Sequence, residues 1–562
     1  MEHIRLLLAI VLTIMVFVLW EVLFVPTQAP DSPSGPDRAE KSEPAGTAGP
    51  RQVEDRKSDR KAEPEAVSAE SGKAGPGPVP AKSFKTITVE NDLYRAEISE
   101  KGAAITRFVL NEYNAEAGPD APPQELISEA NKTGTVLVRP SAPRFPDLSG
   151  AVYTTDFDRS RLRVWGAPES LSFYLQTDSG LVIEKQYVFH PDSYRVTLNV
   201  SLINQSESPI GSGLLVDMTN PPPDGSRFVF EGPFAYIDQE LEEIDVDDIE
   251  DQSVYPGKVR WTGLEDRYFM TALVPREPAS TEIRLHKNQD EKLVRVTYLQ
   301  PGDSLAPGQR RAHAFELFMG PKRMSELKAF GHDLDEAINF GFFDIIAKPC
   351  LWLMNRVHDN VFANYGVAII LVTLLFKIIF WPLGSKSYRS MAEMKKLQPL
   401  MSEIRQKYKD DKKKMNEEIM RLYRTYKVNP MSGCLPMVVQ IPVFIAFYRM
   451  LYEAIELRHA PFLLWINDLS APDRLFRFDV TIPFMTPPYG IPVLTIIMGA
   501  TMFLQQKLSP PPGDPSQAKF MMMMPLIFTV IFINFPSGLV LYWLTNNVLS
   551  IAQQYYITRK IV

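Results

Sequence analysis

Apolar positions fall along this chain in three rhythms, and each predicts a different kind of element. Unbroken apolar runs of about 20 residues form one, because a helix of that length crosses a hydrocarbon core of ~30 Å. The first runs from Ile4 to Val25 and ends in Glu21-Val22-Leu23-Phe24-Val25-Pro26 rather than in small residues. It is also longer than the ~7–15-residue apolar core of a cleaved signal, so residues 1–25 are expected to be a retained anchor, with a cleaved signal as the alternative. Further runs lie at 362–383, 434–452 and 491–508, and a longer one from Met521 to Ile557. Asn534-Phe535-Pro536-Ser537-Gly538 punctuates the last, dividing it into spans at 521–534 and 536–557 joined by a tight turn. Six spanning helices are expected in all.

The second rhythm has period two and fills 83–325. Val196, Leu198, Val200 and Leu202 alternate with Thr197, Asn199 and Ser201, and Val294, Val296 and Tyr298 repeat the pattern. Turn sequences such as His190-Pro191-Asp192-Ser193 and Pro301-Gly302-Asp303 separate the runs. Many short alternating strands predict a β-sandwich of more than 200 residues. The third rhythm is helical and amphipathic. Met394, Leu397, Met401, Ile404 and Tyr408 step by three and four, as do Met415, Ile419, Leu422 and Tyr426. These predict an antiparallel helical hairpin over 385–428, turning near Asp410-Asp411 and kinked where Pro399 interrupts its first arm. Residues 334–357 mix Ile338, Phe342, Ile345, Leu351 and Trp352 with Asp335, Asp344, Lys348 and Arg356, predicting an amphipathic helix on the membrane surface, broken near Pro349. A helix packed on the β-domain is the alternative. Residues 26–82 show no rhythm; ten prolines and few large apolar residues make them a disordered linker between anchor and β-domain.

Charge then orients the chain. The net charge is −7 over 562 residues, which excludes a polybasic nucleic-acid binder, but residues 384–433 carry 13 basic and 6 acidic residues. Short basic loops stay in the cytoplasm. Alternation places both termini inside and residues 26–360, which hold 37 basic and 53 acidic residues, outside. Two cysteines, Cys350 and Cys434, make no disulfide framework. The acidic run Glu240–Asp251 lacks the glycine and spacing of a calcium loop and reads as a solvated loop. His190, His286 and His313 are not at ligand spacing, and the chain carries no phosphate loop, nucleophile elbow or zinc motif. No metal or cofactor is expected.

Candidate chemistry lies where the apolar runs become polar. Lys377 sits inside Ile369-Ile370-Leu371-Val372-Thr373-Leu374-Leu375-Phe376-Lys377-Ile378-Ile379-Phe380-Trp381. A lysine at mid-bilayer costs ~2.5–3.5 kcal/mol, and the eleven Leu, Ile, Val and Phe residues between Val367 and Phe380 return ~0.3–0.6 kcal/mol each. The helix still inserts, and snorkelling toward the cytoplasmic end is the bland account of the lysine. Other polar groups argue for a shared site. Thr373 lies one turn earlier on the same face, Gln440 lies inside the third span, and Gln505 and Gln506 close the fourth. In the last span Tyr542, Asn546, Ser550 and Gln553 form one stripe. Polar groups in hydrocarbon must face one another or water. They are expected to line a wet, cationic groove open to the cytoplasm, with simple interhelical hydrogen bonds as the alternative.

Several segments resemble the YidC membrane protein insertases: Lys427-Val428-Asn429-Pro430-Met431-Ser432-Gly433-Cys434-Leu435-Pro436, Gln440-Ile441-Pro442-Val443-Phe444, Glu456-Leu457-Arg458-His459-Ala460-Pro461-Phe462 and Phe535-Pro536-Ser537-Gly538-Leu539-Val540-Leu541-Tyr542-Trp543. The resemblance implies a multi-domain chain: a polytopic α-helical membrane domain over 326–562 and a periplasmic all-β supersandwich, related to carbohydrate-binding folds and largely dispensable for insertion. It implies a non-enzymatic insertase and chaperone of the bacterial inner membrane. Its clients would be nascent single- and double-spanning proteins, inserted with the Sec translocon or without it. Ribosome and signal-recognition machinery are further candidate partners, although tethering through a long basic tail is not expected of a chain ending at Val562. Lys377 stands where the family usually has arginine, keeping the charge but losing bidentate bonding. Thr373 and Tyr542, with Trp543 beside it, match groove or client-contact positions. The other readings are a secondary transporter using Lys377 and a tethered periplasmic carbohydrate-binding or sugar-modifying protein.

Overall fold

The alternation at Val196–Leu202 becomes the strand Arg195–Asn204, with all four apolar side chains fully buried. The computed structural model describes residues 84–562 except 119, 129, 143–147, 149, 223–228, 289–291, 427, 429–434, 509–514 and 562, and the expected anchor and linker lie outside them. Strands run from Thr86 to Pro321 in two main sheets. The smaller has five strands, in the order Pro123–Ile127, Ala104–Asn114, Tyr94–Ser99, Thr86–Glu90 and Arg161–Arg163, the last pair parallel. The larger has thirteen, with Arg195–Asn204 between Leu181–Phe189 and Arg310–Pro321 at its middle. Buried Lys185 links the two sheets, its Nζ donating to Gly102 O, Ala103 O and Val136 O at 3.2, 2.7 and 2.5 Å. The acidic run departs from expectation: Glu240–Glu243 is a strand paired with Gly232–Ile237, because Leu241 and the aliphatic stems find a partner edge.

Nine α-helices follow among the described residues: α1 Met324–Phe330, α2 Asp344–Asn360, α3 Tyr365–Ile379, α4 Trp381–Lys407, α5 Lys412–Thr425, α6 Leu435–Glu453, α7 Val493–Leu508, α8 Pro515–Phe532 and α9 Ser537–Ile561. Several ends correct the expected ones. The segment expected as one helix over 334–357 is instead two short 3-10 turns, Leu334–Ala337 and Gly341–Phe343, and then α2. Asp344 opens α2, accepting from Phe340 N at 2.6 Å and pairing with Lys348. No break occurs at Pro349. In a helix's second turn a proline forfeits one hydrogen bond, and packing of Ala347, Cys350, Leu351 and Met354 onto α3 and α6 outweighs it. Likewise α4 runs through Pro399.

The expected span 362–383 ends at Ile379, where Trp381-Pro382 starts α4 at a 66° bend. Hydropathy continues across this point, but proline is suited to a first helical turn and ill suited to an interior. Among the described residues no single helix is long and apolar enough to cross a membrane; α3 and α4 pass together, bent. Length limits α3 and α7, at 15 and 16 residues, and Asn546, Asn547 and Gln553 interrupt the apolar run of α9.

The β-domain and the helices are joined by cations. Arg267 Nε donates to Tyr452 O at 2.7 Å and its guanidinium lies over the Tyr452 ring. Arg458 donates to Gln124 Oε1 at 2.9 Å and to Ala115 O at 3.1 Å. Beside them Lys322 pairs with Glu265 at 3.0 Å, both buried.

Candidate functional site

Asn364 starts the element that carries the site. Its side chain accepts from Val367 N at 3.0 Å, capping α3, and its amide donates to Phe462 O at 3.2 Å. Gly366 lies directly under the Phe462 ring, where a Cβ would collide, so the start of α3 is fixed by close approach. Lys377 falls in the last turn before the bend and turns toward α9. Its Nζ donates to Asn546 Oδ1 at 3.1 Å and to Ser550 Oγ at 2.6 Å. Gln440 of α6 donates to the same Asn546 Oδ1 at 3.1 Å, and Ser550 Oγ donates back to Asn546 O at 2.7 Å. Three helices therefore converge on one carboxamide oxygen.

All of the acceptors around Lys377 are neutral. Among the described residues no carboxylate lies within ion-pair distance of its ammonium. An ammonium has three donors, and neutral acceptors leave its charge uncompensated. Chemically the site can hold an anionic or carbonyl-rich group for a time; it offers neither a nucleophile with a base nor a metal cage. Among the described residues no cluster of three or more His, Cys, Asp or Glu could hold a metal.

The other expected residues are placed differently. Thr373 is buried and donates to Ile369 O of its own helix at 2.6 Å, outside the Lys377 network. Tyr542 is buried against Phe447 at 4.8 Å between ring centroids, with its hydroxyl near Gln440, and forms an apolar floor behind that residue. Trp543 packs edge-on to Phe444 at 4.6 Å and to Phe532 at 4.9 Å. Gln553 is buried beside the bend, where its Nε2 donates to Trp381 O at 3.2 Å; a Cβ on Gly384 would come within 2.9 Å of that nitrogen. It positions the bend rather than meeting Lys377. Gln505 is half-buried one turn past Thr501, which accepts from Asn547 Nδ2 at 3.3 Å. Gln506, next to it, is half-buried as well.

Sequence patterning does not point to Tyr388, whose hydroxyl approaches Ser550 from α4. It sits in the basic stretch expected as a cytoplasmic hairpin, and only the bend brings it back to α9. Asn547 is a second residue that patterning misses: its neighbour Asn546 carries the stripe, while it faces α7. Outside the polar cluster the same helices expose apolar side chains, among them Leu374, Ile378 and Ile379 of α3 and Ile496 and Ile497 of α7. A polar interior with an apolar exterior inverts the usual arrangement in water and suits hydrocarbon.

Known proteins resemble this chain along nearly its whole length. Residues 357–562 match the family described as 60Kd inner membrane protein, and residues 86–353 match the YidC periplasmic domain. A membrane protein insertase YidC from Pelobacter propionicus is 38% identical, covering 99% of each chain. That of Syntrophus aciditrophicus is 39% identical over 99% of each, and that of Geobacter sulfurreducens 42% over 83% of this chain and 85% of its own. A solved structure of an active YidC insertase, with its first transmembrane domain resolved, is 19% identical, covers 85% of this chain and 93% of its own, and has a TM-score of 0.38. A galactose mutarotase related enzyme from Lactobacillus acidophilus covers 42% of this chain and 97% of its own at 12% identity and a TM-score of 0.31. Identity of this order over nearly the whole length of two relatives shows that the chain belongs to the YidC family of membrane protein insertases.

Proposed function

We propose that this inner-membrane insertase works through the Lys377 cluster, which receives the short hydrophilic segment of a client while the client's apolar helix passes into lipid beside it. The observation that carries the reading is the Lys377 ammonium held by Asn546 and Ser550 with no carboxylate of the described residues beside it. Such a cation attracts an acidic or carbonyl-rich segment, and neutral partners exchange for it at little cost. The cluster lowers the desolvation cost of the polar segment, and burial of the client helix supplies the driving force without ATP, metal or cofactor.

In this reading α3, α6, α7, α8 and α9 cross the bilayer and residues 1–25 supply a sixth span. The basic hairpin of α4 and α5 and both chain ends face the cytoplasm, and residues 26–360 face the periplasm. The groove opens to the cytoplasm, lined by Lys377, Gln440, Asn546, Ser550 and Tyr388, with Thr373, Gln505, Tyr542, Trp543 and Gln553 shaping its walls. Clients are nascent single- and double-spanning proteins, inserted with the Sec translocon or without it, and the ribosome meets the basic hairpin.

Reconstitution tests this. Liposomes containing only the full chain should protect a short single-spanning client from added protease, without ATP or Sec proteins. Lys377→Arg should retain that protection, and Lys377→Glu should reduce it about tenfold or more, the equivalent of ~1.4 kcal/mol. Full insertion by the glutamate variant would remove the cation from the mechanism.

A further inference from the structure

Between α6 and α7 the chain runs from Ala454 to Pro492 with one short 3-10 turn, Ile455–Leu457, and otherwise no helix. It is nevertheless firmly tied. Trp465 Nε1 donates to Asp473 Oδ1 at 2.6 Å, while the other Asp473 oxygen accepts from Leu494 N at the start of α7. Arg474 donates to Pro488 O at 2.9 Å, to Ile533 O at 2.7 Å and to Asn534 Oδ1 at 3.2 Å, and Asn534 Nδ2 donates to Phe484 O at 2.8 Å. Ser537 N donates to Ala471 O and Gly538 N to Leu469 O, closing the strap onto the start of α9. Both charged residues of the tie, Asp473 and Arg474, are buried.

What faces outward is apolar. Leu464 is 86% exposed and Phe484 81% exposed, and Phe476 and Val480 are exposed with them. Leu464, Phe476 and Phe484 also sit at φ of 56°, 51° and 66°. The left-handed region is disfavoured for bulky residues, and glycine or asparagine usually occupies it. In water this strap would hold large, mostly exposed apolar side chains in costly backbone. Exposed apolar side chains continue along the chain, through Ile491 and onto Ile496 and Ile497 in the first turns of α7. Arg477 and Asp479 alternate with Phe476 and Val480, giving a charged edge beside the apolar one.

We infer that the strap 461–491 is an interfacial lipid anchor, with Phe476, Val480 and Phe484 in the outer boundary between headgroups and acyl chains. Side chains of this kind bury about 5–10 Å into that boundary. The partner is the lipid surface, because the strap is tied at Asp473 to the start of α7 and leads directly into that helix, whose Ile496 and Ile497 are exposed as well. The inference rests on the reading of α7 as a spanning helix and is independent of Lys377.

The test uses the full chain with Cys350 and Cys434 replaced by serine and one new cysteine, Phe476→Cys, Phe484→Cys or Ile497→Cys. Each is labelled with a polarity-sensitive fluorophore in vesicles of phosphatidylethanolamine and phosphatidylglycerol containing brominated lipids, after each variant is shown to melt with its parent. Probes at 476 and 484 should be quenched most by bromine placed high on the acyl chain, and unchanged when the protein is diluted with lipid. Unquenched probes at 476 and 484 beside a quenched probe at 497 would overturn the anchor alone. An unquenched probe at 497 would overturn the spanning reading beneath it. Quenching or spectral shifts that vanish on dilution would assign the strap to a second copy of the chain and overturn the lipid assignment.

Discussion

Two lysines, buried Lys185 and half-buried Lys377, are satisfied in opposite ways. Lys185, fully buried in the β-domain, serves three carbonyls, and burial pushes its pKa well down. Lys185→Met would take this donor from Gly102 O and Val136 O, while Ala103 O keeps the Tyr187 hydroxyl, so the chain in detergent should lose about 1–3 kcal/mol on unfolding. An unchanged melting profile would mean that the carbonyls find other partners. Lys377 instead meets side chains from another helix, and this much is legible in the sequence. A lysine among eleven aliphatic and phenylalanine neighbours has to be satisfied somewhere, and the polar stripe of Asn546 and Ser550 is the nearest chemistry at helical spacing. Gln440 is legible for the same reason. Gln553 lies on that stripe too, yet it meets the Trp381 carbonyl instead, because the 66° bend swings the start of α4 toward it. Tyr388 is not legible, since no periodicity in a basic loop says that one tyrosine folds back onto α9. Thr373 illustrates the ambiguity of a threonine inside an apolar helix, where its hydroxyl satisfies itself on the carbonyl four residues earlier.

At the scale of elements, strand rhythm is the more reliable guide. Inward Val196, Leu198, Val200 and Leu202 are all buried, because a central strand fixes its face by alternation. Helix ends are poorly legible. Phe380 and Trp381 are as apolar as the residues before them, so hydropathy gives no sign of the bend, and only Pro382 marks it. Pro349 and Pro399 look like breaks in the sequence and are not, because each costs one hydrogen bond in a helix whose other contacts hold. The junction between strands and helices is not legible at all, being made by residues far apart in sequence. There, burial, with Glu243 and Asp266 nearby, pushes Glu265 up to about 7 despite Lys322. The folded junction therefore binds the Glu265 proton more tightly than the unfolded chain does. That stability is fully present below about pH 4.5 and is lost as pH rises through about 7. Melting temperature should fall over this window, and Glu265→Gln should flatten the fall; an equal fall in the variant would assign it to another group.

For the whole molecule, two kinds of interior share one chain. The β-domain buries apolar side chains and exposes charge, whereas the helices that follow hold a polar cluster within an apolar core and turn further large apolar side chains out. If insertion belongs to the helices, deleting residues 84–320 should leave client protection in liposomes largely intact, although the junction would lose the partners of Tyr452 and Arg458. A stable, membrane-embedded product with no activity would show that the β-domain takes part. The most direct test of the central claim asks whether water reaches the Lys377 cluster from the cytoplasmic side. In functional protein lacking Cys350 and Cys434, Gln440→Cys and Asn546→Cys should react with a membrane-impermeant thiol reagent in inverted vesicles, and an engaged client should slow that reaction. If both sites stayed sealed while the protein still inserted its client, the Lys377 cluster would be interhelical packing and not a receiving site.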